Sequence, residues 1–99
     1  MSAYIVVRAA VHDAEGMEVY RDQVPDIVKK YGGRFLVRGP AMVLEGDDDG
    51  RWLVVLEFPD MDKLNAFWNG PEYSKLRALR QNYSTVVSIA ANEYEPPSK

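Results

Sequence analysis

Two short apolar runs, Ala3 to Val7 and Trp52 to Leu56, constrain the fold of this chain most strongly. Both are rich in β-branched and aromatic side chains, a composition typical of β-strands. Both are also far shorter than the roughly 18 apolar residues that a membrane span needs. The runs therefore predict two strands of a domain that has no membrane-spanning segment.

A helical pattern follows the first run. Between Met17 and Tyr31 apolar residues recur at spacings of three and four, which predicts an amphipathic helix. Asp13 is expected to cap its start and Gly32-Gly33 to end it. Pro25 lies inside the pattern and is expected to kink the helix, because proline removes one backbone hydrogen bond.

The rest of the chain alternates between extended and helical patterns. A strand over 34–44 is interrupted at Gly39-Pro40, which predicts a bulge or an edge position. The elements predicted after it are a turn over 46–50, a strand over 51–58, a helix opened by Pro59-Asp60 and broken at 69–71, and a strand over 84–94.

This order, β-α-β-β-α-β, predicts an α+β fold. Right-handed crossovers and a short central hairpin make it a ferredoxin-like unit, a four-stranded antiparallel sheet with two helices on one face. In this arrangement the first and third strands are central, and they are indeed the most apolar.

The first strand is apolar on both of its faces. Ala3, Ile5 and Val7 point to one side and Tyr4 and Val6 to the other. The third strand is likewise apolar on both of its faces. With helices on one face only, a monomer would expose the second apolar face, and such patches usually mark partner surfaces. A symmetric homodimer with facing sheets is therefore predicted; cover by the edge strands and the tail is the alternative.

Composition narrows the class of protein further. A chain of 99 residues predicts one domain, over residues 1–94, with 95–99 as a disordered tail that carries two prolines. There is no cysteine, which excludes disulfides and thiolate metal sites. A net charge of -3 argues against nucleic-acid binding, and residues 1–12 lack the features of a signal peptide, so a cytoplasmic location is expected.

Several strings of the sequence resemble a bacterial family of short proteins. They are Tyr31-Gly32-Gly33-Arg34-Phe35-Leu36-Val37-Arg38-Gly39, Leu44-Glu45-Gly46, Leu56-Glu57-Phe58-Pro59, Pro71-Glu72-Tyr73 and Leu79-Arg80, in family order across 3–93. The family is domain of unknown function 1330, in the dimeric α/β-barrel superfamily. The resemblance implies a ferredoxin-like subunit, a homodimer with facing sheets and no assigned reaction. Its wider relatives include cofactor-independent oxygenases, isomerases and stress-response domains, so the fold does not determine the function.

Charged residues interrupt the second and third strands. Arg34, Leu36 and Arg38 are expected to alternate onto one strand face, with Glu57 close to Arg38 across the hairpin. Arginine forks bind carboxylates, and Glu57 is a candidate proton acceptor, so one interpretation is an anion site. The other is a structural salt bridge at the sheet edge.

The helices supply further candidates for ligand contacts. Tyr20, Tyr31 and Tyr73 lie on apolar helix faces, where each ring is buried and each hydroxyl needs a partner. Their hydroxyls could orient a small substrate, or they could simply be core tyrosines. Arg80 lies in a basic helical segment that suits the helix dipole and would also attract an anionic ligand.

His12 is the only histidine and the second candidate base, although a loop or capping role is the simpler interpretation.

One histidine without cysteine excludes the usual zinc sets, so no metal is predicted. The run Asp47-Asp48-Asp49 is interpreted as a solvated turn and not as a calcium loop. Since Gly32-Gly33 closes a helix instead of opening one, no nucleotide or other cofactor is predicted.

These observations predict a cytoplasmic homodimer that binds a small anionic or aromatic metabolite between sheet and helices. The candidate ligand-binding residues are Tyr20, Arg34, Arg38, Tyr73 and Arg80, with Glu57 as a further lining residue. The alternative is a cofactor-independent enzyme, oxygenase- or isomerase-like, with Glu57 or His12 as its base. A second alternative is a structural dimerisation module without a ligand.

Overall fold

The computed structural model describes residues 1–46 and 52–97. Its elements are β1 (Ala3–Val11), α1 (Glu18–Lys30), β2 (Arg34–Pro40), β3 (Trp52–Phe58), α2 (Met61–Asn69), α3 (Pro71–Arg80) and β4 (Ser84–Asn92). Three predicted features lie wholly or partly outside the described residues: residues 47–50 of the predicted turn over 46–50, the start of the third strand at Arg51, and the last two residues of the predicted tail. No helix in the two described ranges is long and apolar enough to cross a membrane.

The strands form one antiparallel sheet in the order β2-β3-β1-β4. In the register of the central pair, Ala3 lies opposite Phe58 and Ala9 opposite Trp52. The first and third strands are therefore central, as predicted, and the ferredoxin-like arrangement is confirmed. The limits of the predicted domain, 1–94, stay a prediction.

The strand β2 differs from its prediction at two points. It ends at Pro40 instead of Leu44, and its irregularity lies between Phe35 and Val37 instead of at Gly39-Pro40. Proline has no N–H to donate to a ladder, so a strand that reaches one at a sheet edge gains little by continuing. The position at the edge of the sheet was predicted correctly.

The start of α1 was predicted wrongly. The Asp13 carboxylate accepts a hydrogen bond from the Gly16 amide at 3.0 Å, and this closes a turn that precedes the helix. The N-cap position belongs to Met17, so the helix begins at Glu18. The chain stays helical across Pro25. The predicted end at the glycine pair is confirmed, since Gly32 has a φ of 80° that favours glycine.

The second helical region contains two helices, so the fold has three helices among its described residues where two were predicted. The Asp60 carboxylate caps α2 by accepting the Lys63 amide at 2.8 Å. Gly70 has extended dihedrals and separates α2 from α3, and Pro71 is the first residue of α3. The break itself falls where the sequence predicted it.

The core lies between the helices and one face of the sheet. Its strand residues are Ala3 and Ile5 of β1 and Leu56 and Phe58 of β3. Its helix residues are Val24, Val28, Leu64, Phe67, Tyr73 and Leu76. The helix-facing side of the sheet is thus the side of the odd-numbered residues of β1 and the even-numbered residues of β3.

The opposite face of the sheet, here called the outer face, carries the alternate residues. Val6 and Val55 at its centre are partly buried, while Val37, Val87 and Ile89 nearer its edges are exposed. The helix-free side of the sheet is therefore rich in apolar side chains, as the alternation in the sequence indicates.

A core substitution tests this assignment. Leu64 is 3% exposed, so Leu64→Ala is expected to lower the free energy of unfolding by about 2–5 kcal/mol. Val19 of α1 is 50% exposed, and Val19→Ala is expected to change it by less than about 0.5 kcal/mol. Urea denaturation at one fixed protein concentration measures both, and equal midpoints for the two variants would contradict the assignment.

Candidate functional site

A cavity of about 310 Å³ lies between the helix-facing side of the sheet and the helices. Its sheet wall includes Ile5, Val7 and Val54, and its helix wall includes Val24 and Phe67. It lies where the sequence predicted a pocket.

The lining of this cavity has an unusual charge pattern. Three arginines, Arg21, Arg38 and Arg80, contribute to it, together with the tyrosines Tyr20 and Tyr73. The described residues of the lining include no carboxylate and no histidine. The chain as a whole carries a net charge of -3, so the cavity is a cationic site in an acidic protein.

Arg80 is the buried cation of this site. The residue is 7% exposed, and its Nε has no hydrogen-bond partner among the described residues. The centre of its guanidinium lies 5.8 Å from the centroid of the Tyr20 ring, a cation–π distance. A buried polar group without a partner costs free energy, and that cost is recovered when an acceptor reaches it.

Tyr20 and Tyr73 meet through their hydroxyls, which lie 2.9 Å apart. Burial raises the pKa of Tyr20 well above its usual range, and the neighbouring Tyr73 adds to this rise. Either hydroxyl can be the donor of the hydrogen bond between them. Tyr31 lies apart from this pair, since its hydroxyl donates to the Glu72 carboxylate at 3.1 Å.

The irregularity in β2 determines where its arginines point. Arg34 lies opposite Glu57 on the outer face, whereas Arg38 lies opposite Val54 and lines the cavity. The prediction that Arg34, Leu36 and Arg38 share one face is wrong, because one extra residue between Phe35 and Val37 shifts the alternation by one. The Arg38 guanidinium lies 4.8 Å from the Phe35 ring centroid.

Glu57 belongs to an ion pair on the outer face. Arg34 Nε donates to its carboxylate at 2.8 Å, and the Tyr4 hydroxyl donates at 3.3 Å. The hydrogen bond from Arg34 is the main reason why the pKa of Glu57 is lowered. Glu57 does not approach Arg38 as predicted, because the two side chains lie on opposite faces of the sheet. The geometry supports the salt-bridge interpretation of Glu57.

His12 is exposed and follows the end of β1. Its Nε2 lies 2.7 Å from the Thr85 hydroxyl, and its backbone amide donates to the Tyr83 carbonyl at 2.8 Å. His12 is not part of the cavity lining. No three acidic or histidine side chains of the described residues lie close enough together to hold a metal ion.

The structure thus brings together Tyr20, Arg38, Tyr73 and Arg80 of the predicted site residues. It leaves Arg34, Glu57 and His12 outside the lining. Arg21 and Trp52 line the cavity and were not among the predicted candidates. The only sequence signal for Arg21 is its position next to Tyr20 on the same helix, and Trp52 is the residue of β3 that continues the row of Val54 and Leu56.

The model of one protein family, described as Domain of unknown function (DUF1330), matches residues 2–94. The chain belongs to this family. A search of curated proteins finds no match.

Solved structures with the same fold cover nearly the whole chain. A protein of unknown function from Rhodopseudomonas palustris has a TM-score of 0.75 at 15% identity, over 96% of this chain and 84% of that one. SnoaB, a cofactor-independent oxygenase from Streptomyces nogalater, has a TM-score of 0.69 at 16% identity, over 99% and 98%. A ferredoxin-like protein of the DABB family from Mesorhizobium loti has a TM-score of 0.63 at 13% identity, over 98% of each chain. Matches at such low sequence identity show that this DUF1330 protein shares a fold with the three solved proteins, and they show nothing more.

The pairing of Glu57 with Arg34 predicts a measurable change in acidity. In Arg34→Gln the pKa of Glu57 is expected to rise toward its usual value, because the main cause of its lowering is removed. The ion pair stabilises the fold above the pKa of the unfolded carboxyl, and this contribution is lost as the pH falls through the lower folded value.

Carboxyl-resolved NMR titration measures this pKa. Arg38→Gln is the matched control, since it removes an arginine of the same strand from the other face of the sheet. An equal rise in both variants would show that the pairing is not specific to Arg34.

Proposed function

We propose that this protein is a homodimer that binds a small anionic metabolite with an apolar or aromatic body in the cavity between sheet and helices. The observation that carries the proposal is the charge of the cavity, where three arginines and no described carboxylate line the wall. A buried arginine is normally paired, so Arg80, whose Nε has no partner among the described residues, supports an anionic ligand.

The three arginines differ in their burial. Arg80 is buried, whereas Arg21 and Arg38 are exposed. One donor of Arg21 is already used within the protein, since its Nη2 donates to the Ala14 carbonyl at 2.7 Å. A ligand anion therefore gains most at Arg80, where water competes least, while the exposed arginines attract it into the cavity.

The remaining wall suits an apolar body. The aromatic lining residues are Tyr20, Phe35, Trp52, Phe67, Trp68 and Tyr73. The volume of about 310 Å³ falls at the lower end of the range of about 300–1,000 Å³ that is typical of ligand pockets. This combination favours a small compound with one ring or a short apolar chain over a nucleotide.

A second candidate is a cofactor-independent enzyme, oxygenase- or isomerase-like, that acts on such a compound. Its support is the fold shared with the oxygenase SnoaB. Acid–base catalysis needs a titrating group within hydrogen-bond reach of the substrate. Glu57 and His12, the predicted bases, lie outside the lining, and the pKa of Glu57 is lowered. These positions favour binding over turnover.

The open cavity disfavours the third candidate, a structural module without a ligand. A domain that only dimerises gains stability by filling such a space with apolar side chains. Here the space is open and the buried Arg80 has an unsatisfied Nε. The predicted cytoplasmic location remains part of the proposal.

The outer face supports the homodimer. Ile89 of β4 is 63% exposed and continues a cross-strand row of apolar side chains with Val6 and Val55, and Val87 of the same strand face is 53% exposed. Packing this face against its copy around a two-fold axis would remove the patch from water, and a two-fold axis makes one apolar face complementary to itself.

The dimer can be tested by placing a charge on the outer face. We expect a molar mass of twice the chain by sedimentation equilibrium, and a single chain mass for Ile89→Glu, because the interface would have to bury a carboxylate that lies opposite Val6. Val19→Glu is the control: it places the same charge at an exposed aliphatic residue on α1. A monomeric wild type, or a dimeric Ile89→Glu, would contradict the interface.

Ligand binding can be tested with a matched pair of probes. Benzoate is expected to bind more tightly than its neutral isostere benzamide in isothermal titration calorimetry. Arg80→Met is expected to weaken benzoate binding by about tenfold or more, since a hydrogen bond to a charged group contributes about 1.5–3 kcal/mol. Lys75→Met removes a cation from the exposed side of the same helix and should leave the affinity unchanged. Equal affinity for both probes would contradict an anion site.

A further inference from the structure

We propose that the corner of the cavity formed by Tyr20, Tyr73 and Arg80, here called the phenol corner, receives the ionised oxygen of a phenol or enol in preference to a carboxylate. This inference rests on the proposed function, because it specifies the chemical class of the anion that the cavity binds. It is carried by the hydrogen bond between the two tyrosines and by the buried Arg80 beside them, whose Nε has no partner among the described residues.

The first argument is the number of hydrogen-bond donors in the tyrosine pair. Each phenol has one O–H donor, and the single hydrogen bond of 2.9 Å between Tyr20 and Tyr73 uses one of the two. Neither hydroxyl has another partner among the described residues, so one O–H remains to be donated. The pair therefore offers one hydroxyl donor to an acceptor oxygen.

The donor of this pair is held in place by its surroundings. The Tyr73 ring stacks on Phe67 with centroids 4.4 Å apart, and it packs against Trp68 at 5.3 Å. The Tyr20 ring meets the Tyr73 ring edge to face at 6.2 Å. A fixed donor binds an anion better than a mobile one, since no ordering entropy is lost when the ligand arrives.

The positive charge beside the tyrosines is the second argument. Arg80 lies 5.8 Å from the centroid of the Tyr20 ring. Burial is the main influence on Tyr20 and raises its pKa, while the charges of Arg80 and Arg38 act in the opposite direction. Their potential is positive at the tyrosine hydroxyl. An anionic oxygen that accepts the free O–H would therefore be stabilised by two cations as well as by the hydrogen bond.

The shape of the donor set distinguishes between classes of anion. A carboxylate presents two oxygens with about four lone-pair sites, and leaving them unsatisfied in a buried place is costly. The phenol corner offers two donors, the free hydroxyl and the Nε–H of Arg80, which has no partner among the described residues. The single oxygen of a phenolate or enolate can accept from both, whereas the same two donors leave lone pairs of a carboxylate unsatisfied. The charge of a phenolate or enolate is also partly delocalised into the attached ring or double bond, which lowers the cost of removing it from water. The aromatic walls then surround that ring.

The inference is tested with 4-nitrophenol, because its phenolate has a visible absorption that reports ionisation of the bound ligand. In the presence of saturating wild-type protein its pKa is expected to fall by about 1, which corresponds to about tenfold tighter binding of the phenolate than of the phenol. The carboxylate isostere 4-nitrobenzoate is the comparison ligand, and calorimetry at neutral pH is expected to give it the weaker affinity.

Single-hydroxyl variants locate the effect. Tyr20→Phe and Tyr73→Phe are each expected to reduce the fall in the pKa of bound 4-nitrophenol, and Arg80→Met to abolish it. Tyr31→Phe is the matched control, because it removes a phenol that bonds to Glu72 outside the cavity lining and should leave the fall unchanged. Circular dichroism confirms that each variant is folded, so that a lost effect is not lost structure.

The outcomes separate this inference from the proposed function. A lowered ligand pKa that depends on Tyr20, Tyr73 and Arg80 but not on Tyr31 supports the phenol corner. Tighter binding of 4-nitrobenzoate with an unchanged pKa of 4-nitrophenol overturns it, while the anion-binding function stands. Failure of both anions to bind would overturn the inference and the proposed function together.

Discussion

The two-residue period of the strands is the constraint on which this structure depends. In β1 and β3 each residue is assigned to the helix-facing side or the outer face by its position alone. The core residues Ala3, Ile5, Leu56 and Phe58 share one side, and the apolar residues of the outer face occupy the other. A core, a cavity and an apolar external surface therefore follow from one sheet, and the extra residue in β2 is the one interruption that places Arg38 in the cavity.

Most of the fold could be predicted because it depends on these local periods. The order of elements, the central position of β1 and β3, the cap at Asp60 and the break before Pro71 all follow from side chains close together in the sequence. The start of α1 could not be predicted in the same way. Asp13 is a good capping residue in the abstract, but the turn that follows β1 uses its carboxylate first.

The site was predicted less completely, and the reasons are physical. An alternation over Arg34, Leu36 and Arg38 assumes an unbroken strand, and a bulge depends on pairing with β3 that single-sequence patterns do not carry. The burial of Arg80 depends on how α1 and α3 pack, so a basic residue near a helix end looks like any other dipole-complementing side chain. Tyr20 and Tyr73 were placed correctly on apolar faces, but their contact joins residues 53 positions apart.

The alternation also separates two surfaces that can vary independently. Val54 faces the cavity, while its neighbours Leu53 and Val55 face the outer side of the same strand. Substitution of cavity residues can therefore alter the shape and polarity of the pocket while the apolar outer face keeps its composition. For a chain of 99 residues whose described strands form a single sheet, this gives a simple route to different binding preferences on one architecture. Sequence changes that alter the ligand but keep the outer face should then be concentrated at alternate positions of the central strands.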